Sequence, residues 1–499
     1  MVNNRLYIFV IHTATFYNKK RHKKGVLNLA GTICKTSGMD MLHGSIWNKL
    51  IQYALPVAAT GMLEQLFNAA DIAVVGNFTG SIKTVAVAAV GANSPIIGLI
   101  LNFFIGVALG SNVVIARAIG KKDADTVHKA VHTSIIISLI GGICMAVGGE
   151  LVIGRLLQLL HVPDDVFPYA LLYIRIYLLG MPVILLYNFE AAVFRSIGET
   201  KMPLKALVTA GVLNVLLNLF FVIGLHRNVD GVAAATVIAN AVSALLLYRK
   251  LIHTQRVIRV RKDELHMDTA VFMQMMRIGL PAGIQTAVFA VANIVIQAAI
   301  NSLGTIVIAA SSAAFNIEIL VYTLLNSFSQ ACTTFTGQNY GAGQLQRCRR
   351  VLLLCIAEDA AAVALAVLLV LVSGKMLISL FNNDPQVIET GYIRLLMVFS
   401  AYIFSMLYEN MSGYLRGFGI SLMPSILTII GVCGVRIAWI YAVFPTHRTF
   451  PAIMAAYPVS LSITALLIFM ALMICRPSRT CRQPVCHLSV SNSDRIKHE

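Results

Sequence analysis

The chain reads as an all-α integral membrane protein, with twelve transmembrane helices in two parallel six-helix bundles. Three observations carry this reading. The 499 residues are 58% hydrophobic and only 12% charged, with a mean hydropathy of +0.77, whereas soluble domains carry about 25% charged residues. Apolar stretches of bilayer length recur from one end of the chain to the other. Short motifs of the first half return, in the same order, in the second.

The apolar spans lie at roughly 49–76, 84–115, 128–150, 166–194, 203–225, 231–249, 270–301, 305–336, 349–373, 388–414, 422–444 and 450–474. Each reaches or approaches the ~20 residues that cross a hydrocarbon core. The longer ones imply tilt, bending or extension beyond the hydrocarbon. Glycine and proline interrupt several, which membrane helices tolerate where neighbours satisfy the freed backbone groups.

Basic residues set the orientation. One side collects Arg117, Lys121, Lys122 and Lys129, then Arg195, Lys201 and Lys205, then the stretch from Arg249 to Arg277, then Arg347, Arg349 and Arg350, and finally Arg416 and the basic tail. The opposite loops each hold one basic residue: Lys83, Arg155, Arg227, Lys375 and Arg448. The positive-inside rule makes the first side cytoplasmic and puts both termini there. The net charge of +17 is therefore a topological signal spread over short loops, and no nucleic-acid partner is expected. The nine cysteines, at 34, 144, 332, 348, 355, 433, 475, 481 and 486, show no zinc or haem spacing; free thiols are expected.

The first 45 residues differ from the rest. A short apolar run precedes Lys19-Lys20-Arg21-His22-Lys23-Lys24, which puts the charge on the wrong side for a signal peptide. This extension reads either as a basic tail at the membrane surface or as a product of start-site choice, with Met39 or Met41 as the natural beginning.

The repeat defines the domains. LPVAATG at 55–61 answers LPAGIQT at 280–286, YIRIYLLGMP at 173–182 answers YIRLLMVFSA at 392–401, and FRSIGETKMP at 194–203 answers LRGFGISLMP at 415–424, at an offset of 221. Each copy holds six spans, so both face the same way, as parallel repeats do. The expected division is an extension at 1–45, an N-lobe at 46–250, a cytoplasmic linker at 251–268, a C-lobe at 269–475 and a polar cytoplasmic tail at 476–499. Two like bundles around a central cleft suit alternating access.

The first span carries Glu64, Asn68 and Asp71 at i, i+4 and i+7, which shares them along one helical face. A carboxylate at membrane depth costs at least ~2.5–3.5 kcal/mol and marks an ion or substrate path. In the fifth span Asn214 and Asn218 share a face, and Thr236 lies in the sixth. In the second half, Gln285, Asn293 and Gln297 line the seventh span, while Glu318, Tyr322, Asn326 and Gln330 step by four along the eighth. Glu190, Glu358, Asp359 and Glu409 also fall within spans, the middle two with Arg349 or Arg350 as candidate partners. Arg195/Arg416 and Gly198/Gly419 read as helix-end anchors and turns.

A primary pump is disfavoured because no G-x-x-x-x-G-K-[ST] loop is present, and no H-E-x-x-H or similar ligand spacing points to an enzyme. The two-lobed repeat disfavours a simple channel.

The proline-to-aspartate spacing of the first span, FRSIGETKMP with its second-half echo, and the turns ARAIGKKDAD and GQNYGAGQLQ resemble the multidrug and toxic compound extrusion (MATE) family, in its bacterial DinF-like and multidrug branch, over about 45–475. The resemblance implies export of cationic, amphipathic small molecules across the bacterial inner membrane, exchanged for protons or, alternatively, sodium ions, by a monomer without cofactor. It implies a cation-coupling pocket of Asp71, Asn214, Asn218 and Thr236, with Asn218 where the family often has aspartate. It also implies a substrate cavity lined by Glu64, Asn68, Gln285, Glu318, Tyr322 and Glu409. Sodium-coupled members carry acidic ligands in the seventh and tenth spans; the seventh has none here, and Glu409 only falls near the family position. The alternative is a lipid-linked saccharide flippase, which calls for a strongly cationic cavity. The intramembrane charges read as mostly acidic, which favours a cationic cargo.

Overall fold

The computed structural model describes residues 38–160 and 162–477. The described residues belong to one compact unit. The basic run at 19–24, the extension up to residue 37, the tail from 478, and Cys34, Cys481 and Cys486 lie outside the described residues. Among the described residues Cys144, Cys332, Cys348, Cys355 and Cys433 are free thiols.

The spans follow one another as helices. Span 1 is Trp47–Phe78, span 2 Lys83–Lys121 and span 3 Ala124–Leu159. Span 4 is a pair, Phe167–Leu179 and Met181–Ser196, bent by 51°. Span 5 is Lys201–Leu219, continued by the π-turn Phe220–Gly224, and span 6 is Val229–His253. In the second half, span 7 is Thr269–Asn301, span 8 Thr305–Gly341 and span 9 Leu345–Ser379. Span 10 is again a pair, Pro385–Phe399 and Tyr402–Gly417, bent by 46°. Span 11 comprises Leu422–Thr428, the π-turn Ile429–Gly434 and Val435–Ala442; span 12 comprises Phe450–Met454 and Ala456–Cys475.

Among the described residues nine helices are long and apolar enough to cross a membrane, and the two bent pairs bring the number to eleven. Span 1 completes the twelve. Its 32 residues are long enough, but Glu64, Gln65, Asn68 and Asp71 dilute its apolar content.

Local chemistry explains several helix ends. Asp123, Asp268 and Asp384 cap spans 3, 7 and 10 by accepting from the backbone amides of Thr126, Val271 and Gln386 at 3.0, 2.9 and 2.8 Å, as N-cap carboxylates do. The Thr126 hydroxyl and amide hold the Asp123 carboxyl below its ordinary range. Pro182 and Pro385 sit in the first turns of their helices, where a missing N–H is harmless.

The repeat is visible in the register of the elements. Helices begin at Met181 and Tyr402, at Lys201 and Leu422, and at Val229 and Phe450, each pair 221 residues apart. The bent fourth span recurs as the bent tenth.

Spans 2 and 7 make the closest approach between the halves. A Cβ on Gly106 would run into the backbone of Gly283, and one on Gly110 into the carbonyl oxygen of Met275 and the backbone of Gly279. Small residues at such a crossing let helix backbones meet in lipid, where packing drives association. Hydrogen bonds add to it. Tyr53 and Asn112 meet the Thr334 hydroxyl at 2.9 and 3.0 Å, Arg195 donates to Gln330 at 3.3 Å, Gln338 to the Ser196 carbonyl at 2.6 Å, and Thr286 to the Asn102 carbonyl at 2.9 Å. Among the described residues these bonds gather towards the end where the basic loops lie. The first turns of span 1 take part: Leu50, Tyr53, Ala54 and Val57 join an apolar core with Phe328, Phe335, Met411 and Tyr414 of the second half.

Gly110→Ala is expected to overpack this crossing at a cost of about 1–3 kcal/mol. The check is the melting temperature of the purified protein in detergent. It should fall by several degrees, while Gly148→Ala, whose Cβ meets nothing within 4 Å, should leave it unchanged.

Candidate functional site

Asp71 is buried near the far end of span 1 from that crossing. Its Oδ1 accepts from Asn218 Nδ2 at 2.6 Å and its Oδ2 from Thr236 Oγ1 at 3.0 Å. Asn214 Nδ2 donates to Thr236 Oγ1 at 3.3 Å, and Asn218 Nδ2 also reaches Asn214 Oδ1 at 3.3 Å. Spans 1, 5 and 6 thus converge on one carboxylate. Local sequence arranges this. Asn214 and Asn218 stand one turn apart on the buried face of span 5. Gly211 leaves the room taken by the Phe67 ring, which a Cβ there would strike, so spans 1 and 5 pack closely. The π-turn Phe220–Gly224 follows directly, and π-bulges often accompany functional sites.

This geometry accommodates two protonation states. An ionised carboxylate only accepts hydrogen bonds, and Asn218 and Thr236 supply donors. Asn218 Oδ1 is buried with no partner among the described residues. If Asp71 takes up a proton it gains a donor, and rotation of the Asn218 amide presents this oxygen to accept it. A buried polar atom without a partner costs about 1–3 kcal/mol, so the second state relieves a cost present in the first.

Among the described residues, the cavity residues expected from the sequence are hydrogen-bonded to one another only at Tyr322 and Glu409. Glu64 is half-buried and Asn68 exposed. Gln285 Oε1 is buried and accepts from Arg416 Nη2 at 2.8 Å, which ties span 10 to span 7 and fits an anchoring role for Arg416. Tyr322 donates to Glu409 Oε1 at 3.2 Å. Glu318 does not stand free. Its Oε2 accepts from Arg394 Nη2 at 2.8 Å and Nε at 3.2 Å, while Arg394 Nη1 donates to Ser311 at 2.7 Å.

Two readings of the charges need correction. Among the described residues Glu358 has no ion-pair or hydrogen-bond partner, and Asp359 accepts from Asn410 Nδ2 at 2.5 Å. Neither pairs with Arg349 or Arg350, because nine residues of helix rise separate Arg349 from Glu358 by roughly 13 Å. The interior is also less acidic than the sequence suggests, since Arg394 and Arg436 are buried in spans 10 and 11. Both were legible as arginines inside apolar runs, which by default mark function or pairing. The Tyr-Ile-Arg repeat obscured Arg394, because its counterpart Arg175 sits half-exposed and pairs with Glu150 at 2.7 Å. Glu190 is fully buried, with neither oxygen bonded among the described residues.

The fold and site define a polytopic membrane protein built from a six-span repeat, with a hydrogen-bonded carboxylate inside one half and ion-paired charges inside the other. The MatE family model matches residues 56–220 and 281–442, one block in each half. The chain belongs to the MatE family, the multidrug and toxic compound extrusion transporters. It is 24% identical to "Probable multidrug resistance protein YoeA" of Bacillus subtilis, over 85% of this chain and 93% of that one. It is 25% identical to "FAD transporter" of Shewanella oneidensis, over 72% and 80%. A solved structure titled "Outward-facing conformation of a multidrug resistance MATE family transporter of the MOP superfamily" superposes with a TM-score of 0.81 at 21% identity, covering 88% of this chain and 97% of that one. The fold is therefore the two-lobed, twelve-helix fold of these proteins.

Arg394→Gln leaves Glu318 buried without its cation and is expected to cost about 3–5 kcal/mol. Yield of monodisperse protein and its melting temperature should both drop. Glu318→Gln combined with Arg394→Gln should recover most of the loss, which would mark the pair as structural.

Proposed function

We propose that the chain is a secondary active multidrug exporter of the bacterial inner membrane, which expels cationic amphipathic compounds in exchange for protons. The lobes 46–250 and 269–475, joined by the linker 251–268, alternate access to a central cleft, and the protein works as a monomer with both termini cytoplasmic. The observation that carries this reading is the buried carboxylate of Asp71, held by Asn218 and Thr236 with Asn214 behind them. With Asp71 ionised, spans 5 and 6 are drawn to span 1 by its two acceptor oxygens. With Asp71 neutral, that attraction weakens and the amide of Asn218 turns. A proton thereby favours one packing of these spans over another, and a bound ligand shifts a conformational equilibrium only through such a difference between states.

The relatives' printed names point to multidrug resistance for one and to FAD transport for another. For a cationic cargo the half-buried Glu64, on the same face as Asp71, is the natural first counter-charge, with Asn68, Tyr322 and Glu409 as further polar lining. Sodium coupling is the second reading. It is supported only by Glu409 and Tyr322 in the second half, because span 7 contributes no carboxylate.

The test is efflux of a cationic dye from proteoliposomes under an imposed proton or sodium gradient. Proton-driven efflux in the wild type should drop at least tenfold in Asp71→Asn and by a smaller factor in Thr236→Ala. Efflux driven by sodium alone, or unchanged in Asp71→Asn, would move coupling to the second half.

A further inference from the structure

The second half carries a buried guanidinium without a carboxylate partner, at the place that answers the Asp71 pocket. Arg436 is 8% exposed. It lies on the inward stripe of span 11 with Val432 and Ile440, one turn to either side and both buried, whereas Ile430 and Tyr441 are exposed. Its Cζ sits 4.1 Å from the centroid of the Tyr457 ring, and its Nε donates to Ser460 Oγ at 3.0 Å. Among the described residues its two terminal nitrogens make no hydrogen bond, and they are not fully buried. Arg394 lies against the same ring at 5.6 Å but is already matched to Glu318. Glu409 is engaged by Tyr322, and Asp359 by Asn410. Among the described residues no carboxylate forms an ion pair with Arg436.

The repeat gives this position a meaning. With helices starting at Lys201 and Leu422, and at Val229 and Phe450, the shared register carries Thr236 onto Tyr457 and Asn214 onto Val435, the residue before Arg436. The place where the first half holds an anion with neutral donors is the place where the second half holds a cation on an aromatic face. A π-turn adjoins each: Phe220–Gly224 after Asn218, and Ile429–Gly434 before Arg436.

We propose that Arg436, braced by Tyr457 and Ser460, is an oxyanion-docking point for the cargo, so that the transported compounds include amphipathic zwitterions bearing a carboxylate or phosphate beside their cationic group. A guanidinium presents its paired N–H groups to the two oxygens of such a group. An aromatic ring fixes the plane of the fork without neutralising its charge. This rests on the export reading above and narrows its substrate class.

The test is binding of two probes to the purified protein, followed by fluorescence polarisation: a rhodamine with a free carboxylate, and its methyl ester. The wild type should bind both. Arg436→Gln should weaken the free acid about tenfold or more, as loss of a charged hydrogen bond does, and change the ester by less than about threefold. Arg436→Lys, which keeps the charge and guards against misfolding, should fall between the wild type and Arg436→Gln for the acid. Equal weakening of acid and ester, no change in either, or failure of the wild type to bind the acid would overturn the proposal. Transport of the same dyes in proteoliposomes separates the two readings: selective binding without transport would count against export and leave the docking point standing.

Discussion

A carboxylate inside a bilayer must receive its hydrogen-bond donors from protein, because hydrocarbon supplies none. Much of the first half is arranged around this requirement. Asp71 stands on a helix too polar to pass as an ordinary span, and spans 5 and 6 deliver an amide and a hydroxyl to its two oxygens. Phe67 packs into the space left by Gly211 so that span 1 lies close enough for those bonds. The arrangement also leaves Asn218 Oδ1 unsatisfied, and that defect is what lets the same residues accommodate a protonated Asp71.

The two halves share a helical plan and differ in their charges. Helix starts 221 residues apart and a bend in the same place in spans 4 and 10 give both bundles one backbone scaffold. The side chains placed on it differ: one carboxylate held by neutral donors in the first half, two arginines around Tyr457 with a single matched glutamate in the second. The glycine crossing of spans 2 and 7 holds the halves together towards the end bearing the basic loops, and Asp71 lies away from it. The proposed coupling site on spans 1, 5 and 6 is thus separated from the closest contact between the halves.

Hydropathy and loop charge made the span pattern legible, because membrane insertion constrains every span through composition. The motif echoes revealed the repeat, since turn residues such as Gly198 and Gly419, both at positive φ, recur where the backbone demands them. The Asp71 pocket was legible in part through periodicity, which puts Asn214 and Asn218 on one face; its convergence with Thr236 from another span followed only from the family resemblance. The charge pairing of the second half was not legible. Glu318 and Arg394 are 76 residues apart, and nothing local announces that they meet. The unpartnered Glu358 and the uncompensated Arg436 are likewise properties of packing between spans.

The most direct measurement of the central claim is the count of protons released when a cationic dye binds the purified transporter in weakly buffered detergent solution. If Asp71 exchanges a proton against the cargo, binding below neutral pH releases about one proton per dye in the wild type and none in Asp71→Asn, although the variant still binds dye. Equal release from both proteins, or none from the wild type, would contradict the account and remove Asp71 from the coupling step.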